Sequence, residues 1–263
     1  MTPTRILYRY VLPLFLIYNM ALPGLPLRGF PDYGAPSYLS ASVLTDPAEV
    51  YNRLVGFASL DGRGRVLLID TFGNGLTAWT AGRSGAGAFP VVVTTSPSFI
   101  SPASVVLDPG VSALDFSAIL RLQFLGQTQR IGIEAAFYNV GVNGARFIIQ
   151  TQYNYSGTIY QARLKYTPST GVWQIQTPAG DQTIATQTVS NAYAQAKLVA
   201  DFSTGFYKRV VIGETAIDVS TFAMATTTGI TQGTAVYWSY AESIGAGTTP
   251  IRLGYVLVTR DEP

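Results

Sequence analysis

Two residue types that carry much of enzyme chemistry are absent from this chain of 263 residues, which contains no histidine and no cysteine. This excludes Ser-His-Asp triads, cysteine nucleophiles, iron–sulfur clusters, histidine-ligated transition metals and disulfides. Carboxylates remain as groups that could act as general acids and bases or bind a cation such as calcium. The third possibility is a protein without catalytic chemistry, and this is the interpretation we favour.

Charge is sparse and evenly distributed. Charged residues make up 12% of the chain, against roughly 25% in typical soluble domains. Seventeen basic and fifteen acidic residues leave a formal charge of +2, and the basic residues occur singly along the chain. A basic patch that would attract nucleic acid or an anionic membrane is therefore missing, and we predict no nucleic-acid partner.

The elements that must position any site are strands. From about residue 65, short runs of β-branched and aromatic residues alternate with turn residues at intervals of about eight to twelve residues, which is typical of a β-sandwich or barrel. We therefore predict an all-β fold with two packed antiparallel sheets. The fourteen predicted strands are 66–71, 90–95, 103–108, 117–125, 130–138, 146–153, 159–166, 172–177, 181–185, 196–202, 206–212, 215–219, 235–240 and 251–259.

Alternation and turn chemistry support this prediction. In the strand 130–138, Ile131, Ile133 and Phe137 share one face. The segments 169–171 and 203–205 each read Ser-Thr-Gly and join two predicted strands, with glycine where a positive φ is needed.

The N-terminal region differs from the rest. Prolines and glycines recur through it, so we predict an extended arm and connector over residues 1–58 and a sandwich domain over 59–263. A short helix is predicted at 46–54, with Asp46 as N-cap and Pro47 at the first helical position.

An apolar run lies within this arm. It falls short of the roughly 20 apolar residues of a transmembrane span, and no Ala-x-Ala cleavage site follows it. We expect the arm to dock onto a neighbouring subunit; the alternatives are packing on its own domain and a targeting segment. The predicted docking residues are Ile6, Leu7, Tyr10, Val11, Leu12, Leu14, Phe15, Leu16, Ile17 and Tyr18.

Two stretches resemble laminin-G-like, concanavalin A-like sandwich domains. Residues 68–79, LIDTFGNGLTAW, are similar to the Asp-Asp-Phe-Glu-x-Gly-x-x-x-x-Trp pattern with which such domains often begin. Residues 196–212, AKLVADFSTGFYKRVVI, resemble a hairpin of the same domains that reads K-L-V-x-D-x-x-T-G-x-Y. The resemblance covers roughly residues 65 to 260 and implies a concanavalin A-like jelly roll. An arm followed by Arg-Gly-Arg-Val at 63–66 resembles the layout of bacteriophage virion domains.

The resemblance also implies two chemistries to test. Related glycosidases carry Glu-x-Asp-x-x-Glu on one strand, a pattern that this chain lacks; Glu214 and Asp218 are its best remaining pair, beside a predicted turn. Related jelly rolls often hold a structural calcium through an acidic residue on the first strand, for which Asp70 is the candidate. The final strand reads Arg-Leu-Gly-Tyr-Val at 252–256 where relatives carry paired Asp. We therefore predict no enzyme and no cofactor, with a structural calcium as the alternative.

Aromatic residues mark a possible contact surface. In the strand 235–240, Tyr237 and Trp238 point to opposite faces, so at least one large ring lies outside the core; Tyr240 is the third candidate surface aromatic. Trp79 and Trp173 are predicted to be core residues. A surface ring could contact a sugar or a protein.

These observations favour a non-enzymatic virion protein, most simply a bacteriophage capsid decoration or cement protein docked through its arm. Its expected partners are the major capsid protein or other virion subunits, and we expect a homo-oligomer located in the virion. The alternatives are a glycan- or receptor-binding module of a phage tail or head appendage, and a secreted carbohydrate-binding domain.

Overall fold

The computed structural model describes residues 63–85, 88–95, 103–124, 130–139, 144–155, 157–189, 193–229, 233–245 and 250–263. All of them belong to one unit of the chain, Ser59–Pro263. The predicted arm over 1–58, its docking residues and the predicted helix at 46–54 lie outside the described residues and stay predictions.

Sixteen strands and no helix make up the regular structure of the described residues, which therefore hold no helix able to cross a membrane. The strands are β1 (Arg65–Asp70), β2 (Thr80–Ser84), β3 (Val92–Thr94), β4 (Ser104–Leu107), β5 (Phe116–Phe124), β6 (Arg130–Asn139), β7 (Ala145–Tyr155), β8 (Thr158–Thr167), β9 (Val172–Thr177), β10 (Gly180–Thr186), β11 (Ala194–Asp201), β12 (Phe206–Ile212), β13 (Thr215–Asp218), β14 (Ala225–Thr228), β15 (Thr234–Ser243) and β16 (Ile251–Arg260).

The strands form two antiparallel sheets of eight strands each. The first sheet has the order β13-β12-β11-β6-β16-β4-β3, with β1 also paired to β16. The second has the order β10-β9-β8-β7-β15-β5-β2, with β14 also paired to β8. The predicted two-sheet antiparallel sandwich is confirmed.

All fourteen predicted strands occur, with ends shifted by a few residues, and the sequence prediction missed two. The missed strands are β2, which reads TAGRS, and β14, which reads ATTT. Both predicted Ser-Thr-Gly turns are confirmed, because Gly171 and Gly205 have φ values of 67° and 75° where they join β8 to β9 and β11 to β12.

One hydrophobic core fills the space between the sheets. Phe137 of β6 stacks on Phe147 of β7 with ring centroids 4.1 Å apart, and Trp173 stacks on Tyr166 at 4.3 Å. The predicted core residues Trp79 and Trp173 are both buried. Burial of such aromatic side chains supplies much of the stabilisation of a sandwich.

Tyr207 of β12 connects the two sheets through its hydroxyl. β9 pairs with the second half of β8 and β14 with its first half, and Arg163 lies between the two paired segments. The Tyr207 hydroxyl accepts a hydrogen bond from Arg163 N at 3.1 Å and donates one to Gln176 O at 2.6 Å. A side chain of the first sheet thus satisfies backbone groups of the second.

A buried ion cluster lies on the first sheet, on the side opposite the core. Glu262, just after β16, has a fully buried side chain. Its Oε1 is 2.8 Å from Lys197 Nζ, its Oε2 is 2.5 Å from Arg209 Nη2, and the Thr259 hydroxyl donates to Oε1. The carboxylate is compensated by two cations, as a buried charge requires.

Candidate functional site

The alternation of β15 separates the predicted surface aromatics. Tyr237 is fully buried and belongs to the core between the sheets. Trp238 and Tyr240 lie on the opposite side of the second sheet, where Trp238 is half-buried and Tyr240 is 8% exposed. Two large aromatic residues therefore share the face that points away from the core.

Strand register determines which residues accompany them. Trp238 lies opposite Leu120 of β5 and Gln150 of β7, and Gln150 lies opposite Arg163 of β8. We call this side the outer face of the second sheet and define it by Phe116, Leu120, Leu122, Arg146, Ile148, Gln150, Arg163, Lys165, Gln174, Asp181, Trp238, Tyr240 and Glu242.

Gln150 organises the centre of this face. Its side-chain oxygen accepts a hydrogen bond from Arg163 Nε at 2.7 Å and lies 3.4 Å from the Tyr240 hydroxyl. The Arg163 guanidinium carbon is 6.0 Å from the centroid of the Tyr240 ring, at the outer limit of a cation–π contact. These contacts hold the Gln150 amide, the Arg163 guanidinium and the Tyr240 ring together across three adjacent strands. Gln150 itself is only 2% exposed.

The aromatic side chains of the outer face pack edge to face. Tyr240 meets Trp238 with centroids 6.3 Å apart and an interplanar angle of 68°, and meets Phe116 at 6.0 Å and 62°. Burial raises the pKa of Tyr240 to about 12. The phenol is therefore neutral near pH 7 and can act as a hydrogen-bond donor.

The charges of this face are compensated except at one position. Lys165 Nζ is 2.7 Å from Asp181 Oδ2, and Arg146 Nε, beside Ile148 on β7, is 3.0 Å from Glu242 Oε2. Arg163 contacts Gln150 and Tyr240, and no carboxylate of the described residues pairs with it. At the centre of this face, Trp238 and Arg163 are the partly exposed side chains and can offer a stacking surface and one uncompensated cation to a ligand, while Gln150 and Tyr240 are buried.

Asp70, the calcium candidate, has a structural role at the end of β1. Its Oδ1 accepts a hydrogen bond from Phe72 N at 2.7 Å, and its Oδ2 accepts one from Trp79 Nε1 at 2.8 Å. Within the described residues, no three Asp or Glu side chains group as they would around a metal ion. The structure thus gives Asp70 two partners within the protein, and calcium binding there stays a prediction.

Glu214 and Asp218, the carboxylate pair considered for hydrolysis, lie on the first sheet. Glu214 is exposed in the turn between β12 and β13, and Asp218 is exposed at the end of β13, where its Oδ1 accepts a hydrogen bond from Ser220 N at 2.9 Å. Neither belongs to the outer face of the second sheet. The structure does not bring this pair together with the candidate aromatics.

The sequence prediction missed Arg163 and its contact with Gln150. Gln150 and Arg163 are thirteen positions apart in the chain and become neighbours only through the β7–β8 register. The alternation of each strand shows which residues share its own faces, but the pairing of faces across strands needs the register. The pattern of single strands therefore does not indicate Arg163 as a site residue.

Comparisons with known proteins give distant structural similarities. No protein-family model and no curated protein matches the chain. Among solved structures it is similar to a sialidase (TM-score 0.49, 12% identity, 76% of this chain and 19% of that chain), so it spans about a fifth of that protein. It is also similar to a Bacillus subtilis protein with a galectin-like fold (0.48, 12%, 75% and 97%). A third is the CBM2 module of Lactobacillus casei BL23 phage J-1 evolved Dit (0.44, 11%, 76% and 98%). Similarities of this size carry no assignment of function.

Proposed function

We propose that this protein is a non-enzymatic carbohydrate-binding module that binds glycans through the outer face of its second sheet. One observation carries the proposal: Trp238 and Tyr240 share that face with Gln150 and Arg163, and hydrogen bonding places Gln150 between Arg163 and Tyr240. Among the predicted alternatives, it is the glycan-binding module that this arrangement favours.

The chemistry of the face suits a sugar. A sugar ring has an apolar side that packs against aromatic carbons and a rim of hydroxyls that need donors and acceptors. Trp238 supplies a half-buried ring, and Arg163, held by the buried Gln150, supplies hydrogen-bond donors beside it. A ligand site built from aromatic surface and a few convergent polar groups is the common pattern for small-molecule recognition.

The acidic groups near this face support binding over hydrolysis. A glycosidase of the common kind needs two carboxyl groups facing the scissile bond. Asp181 and Glu242 are instead each ion-paired, with Lys165 and Arg146 respectively. The exposed pair Glu214 and Asp218 belongs to the other sheet.

A glycan array followed by titration calorimetry on the strongest glycan tests the proposal. We expect the protein to bind at least one glycan and Trp238→Ala to weaken that binding by roughly tenfold to a hundredfold, by analogy with the ~1–3 kcal/mol that stacking on an aromatic ring contributes for a nucleic-acid base. Phe206→Ala is the matched control, because Phe206 is an exposed aromatic of the first sheet.

Three results would contradict the proposal. The first is an array without signal for a protein whose circular dichroism shows a folded β structure. The second is glycan binding that Trp238→Ala leaves at the wild-type affinity. Loss of binding in both Trp238→Ala and Phe206→Ala would also count against it, since the effect would then follow from stability instead of contact.

A place in a bacteriophage particle is the second part of the proposal. It is supported by the sequence resemblance over residues 65 to 260 and by the apolar run at 10–18, which suits docking onto a virion subunit. In this form the module would be an appendage or capsid-surface protein that presents the outer face of its second sheet to glycans. Capsid decoration without glycan binding is the competing interpretation.

A further inference from the structure

We propose that the glycan bound by this face is acidic, and that the Arg163 guanidinium selects it by pairing with a carboxylate on the sugar ring. This inference rests on the proposed function, since it names the substrate class of the same face. It follows from the charge pairing around Trp238 and Tyr240.

Arg163 is the cation of this face that lacks an acidic partner within the described part of the chain. Lys165 is paired with Asp181 at 2.7 Å, and Arg146 with Glu242 at 3.0 Å. Arg163 uses Nε to bind Gln150 Oε1 at 2.7 Å. Its two terminal nitrogens, which carry four of its five N–H donors, make no hydrogen bond to the described residues.

The backbone of Arg163 is fixed from the core side. Its N–H donates to the Tyr207 hydroxyl at 3.1 Å, in the gap between the paired segments β8–β14 and β8–β9. Gln150 fixes the side chain by accepting from Nε. Held at both ends, the guanidinium loses less freedom on binding a ligand than a solvated arginine would.

The position of this cation relative to the aromatic rings gives the ligand chemistry. The guanidinium carbon lies 6.0 Å from the centre of the Tyr240 ring, and Tyr240 packs on Trp238. A sugar stacked on the half-buried Trp238 ring would place its ring substituents near the guanidinium. A planar guanidinium with free terminal nitrogens matches a carboxylate in a two-point, charge-assisted arrangement, whereas a hydroxyl uses only one such contact.

The test is an array in which each acidic glycan is paired with its neutral counterpart: uronate oligosaccharides with their methyl esters, sialylated with desialylated glycans, and sulfated with unsulfated glycans. We expect at least tenfold stronger binding to the carboxylated member of a pair and a loss of affinity as NaCl is raised. Arg163→Gln should remove this preference, because it should weaken the carboxylated glycan at least tenfold more than its neutral counterpart. Arg163→Lys should give an intermediate value.

Arg65→Gln is the matched control, because it removes the same charge from an exposed arginine of the first sheet. Equal binding of acidic and neutral partners, or a preference that survives Arg163→Gln, would overturn the inference while leaving glycan binding intact. A preference for sulfated over carboxylated glycans would overturn the carboxylate assignment. An array without any signal would instead contradict the proposed function, and near-ultraviolet circular dichroism of Arg163→Gln separates lost contact from lost fold.

Discussion

Two fully buried tyrosines show how differently a hydroxyl can be placed in the same sandwich. The Tyr207 hydroxyl bridges Arg163 N and Gln176 O, whereas the Tyr237 hydroxyl has no partner among the described residues. Burial raises the pKa of both phenols, so both are neutral at physiological pH. The two side chains differ in hydrogen bonding and hardly at all in buried surface.

Tyr207→Phe is therefore expected to lower the free energy of unfolding by about 1–3 kcal/mol, because it leaves a backbone donor and a backbone acceptor unpaired in the interior. Tyr237→Phe, the matched control, removes a hydroxyl that lacks a partner and should leave stability unchanged or slightly raised. Urea denaturation followed by circular dichroism measures both. Equal effects of the two substitutions would show that the bridge adds nothing to stability.

At the scale of elements, the short segment after β16 closes the first sheet. Asp261 adopts a positive φ of 53°, and the next residue, Glu262, enters the buried cluster with Lys197 and Arg209. Gly132 of β6 makes room for it, since a Cβ there would lie 2.6 Å from Glu262 Oε1. A single turn after the last strand thus delivers the carboxylate that two cations require.

Glu262→Ala should cost about 3–5 kcal/mol of unfolding free energy, since removing one member of a buried ion cluster leaves its partners uncompensated. Asp261→Asn is the control, because Asp261 is 56% exposed and its ion pair with Arg260 spans 3.5 Å; its effect should stay below about 1 kcal/mol. Thermal unfolding of the two variants makes the comparison. A midpoint for Glu262→Ala within the error of Asp261→Asn would contradict the assigned role of the cluster.

The elements that the sequence predicts well are those with buried faces. The sequence predicts the strand 172–177 with the bounds of β9, because Trp173 and Ile175 alternate with glutamines. The sequence does not predict β2 and β14, because their residues are small or polar and largely exposed. Their strand conformation comes from pairing with β5 and β8, respectively. The sequence does not predict Arg163 as a site residue for a related reason. Its neighbours are determined by the strand register, which local sequence patterns do not encode.

At the scale of the whole molecule, we expect virion assembly to depend on the predicted arm and glycan binding to depend on the sandwich. Deleting residues 1–36 should leave a soluble, folded sandwich that no longer joins the virion, because the predicted docking residues lie in that segment. Glycan affinity should stay within about twofold of the full chain, since the outer face of the second sheet belongs to Ser59–Pro263. Incorporation assays and calorimetry on the truncated chain measure the two properties, and incorporation at full occupancy would refute the docking role.

The placement of the three tryptophans also decides what the protein's own fluorescence can report. Trp79 and Trp173 are buried in the interior, and Trp238 lies half-buried on the outer face of the second sheet. Iodide and acrylamide should therefore quench one emitter far more readily than the other two, and a bound ligand should shield that emitter. The intrinsic tryptophan emission thus contains a label-free signal specific to this face, and a fluorimeter can follow it during a ligand titration.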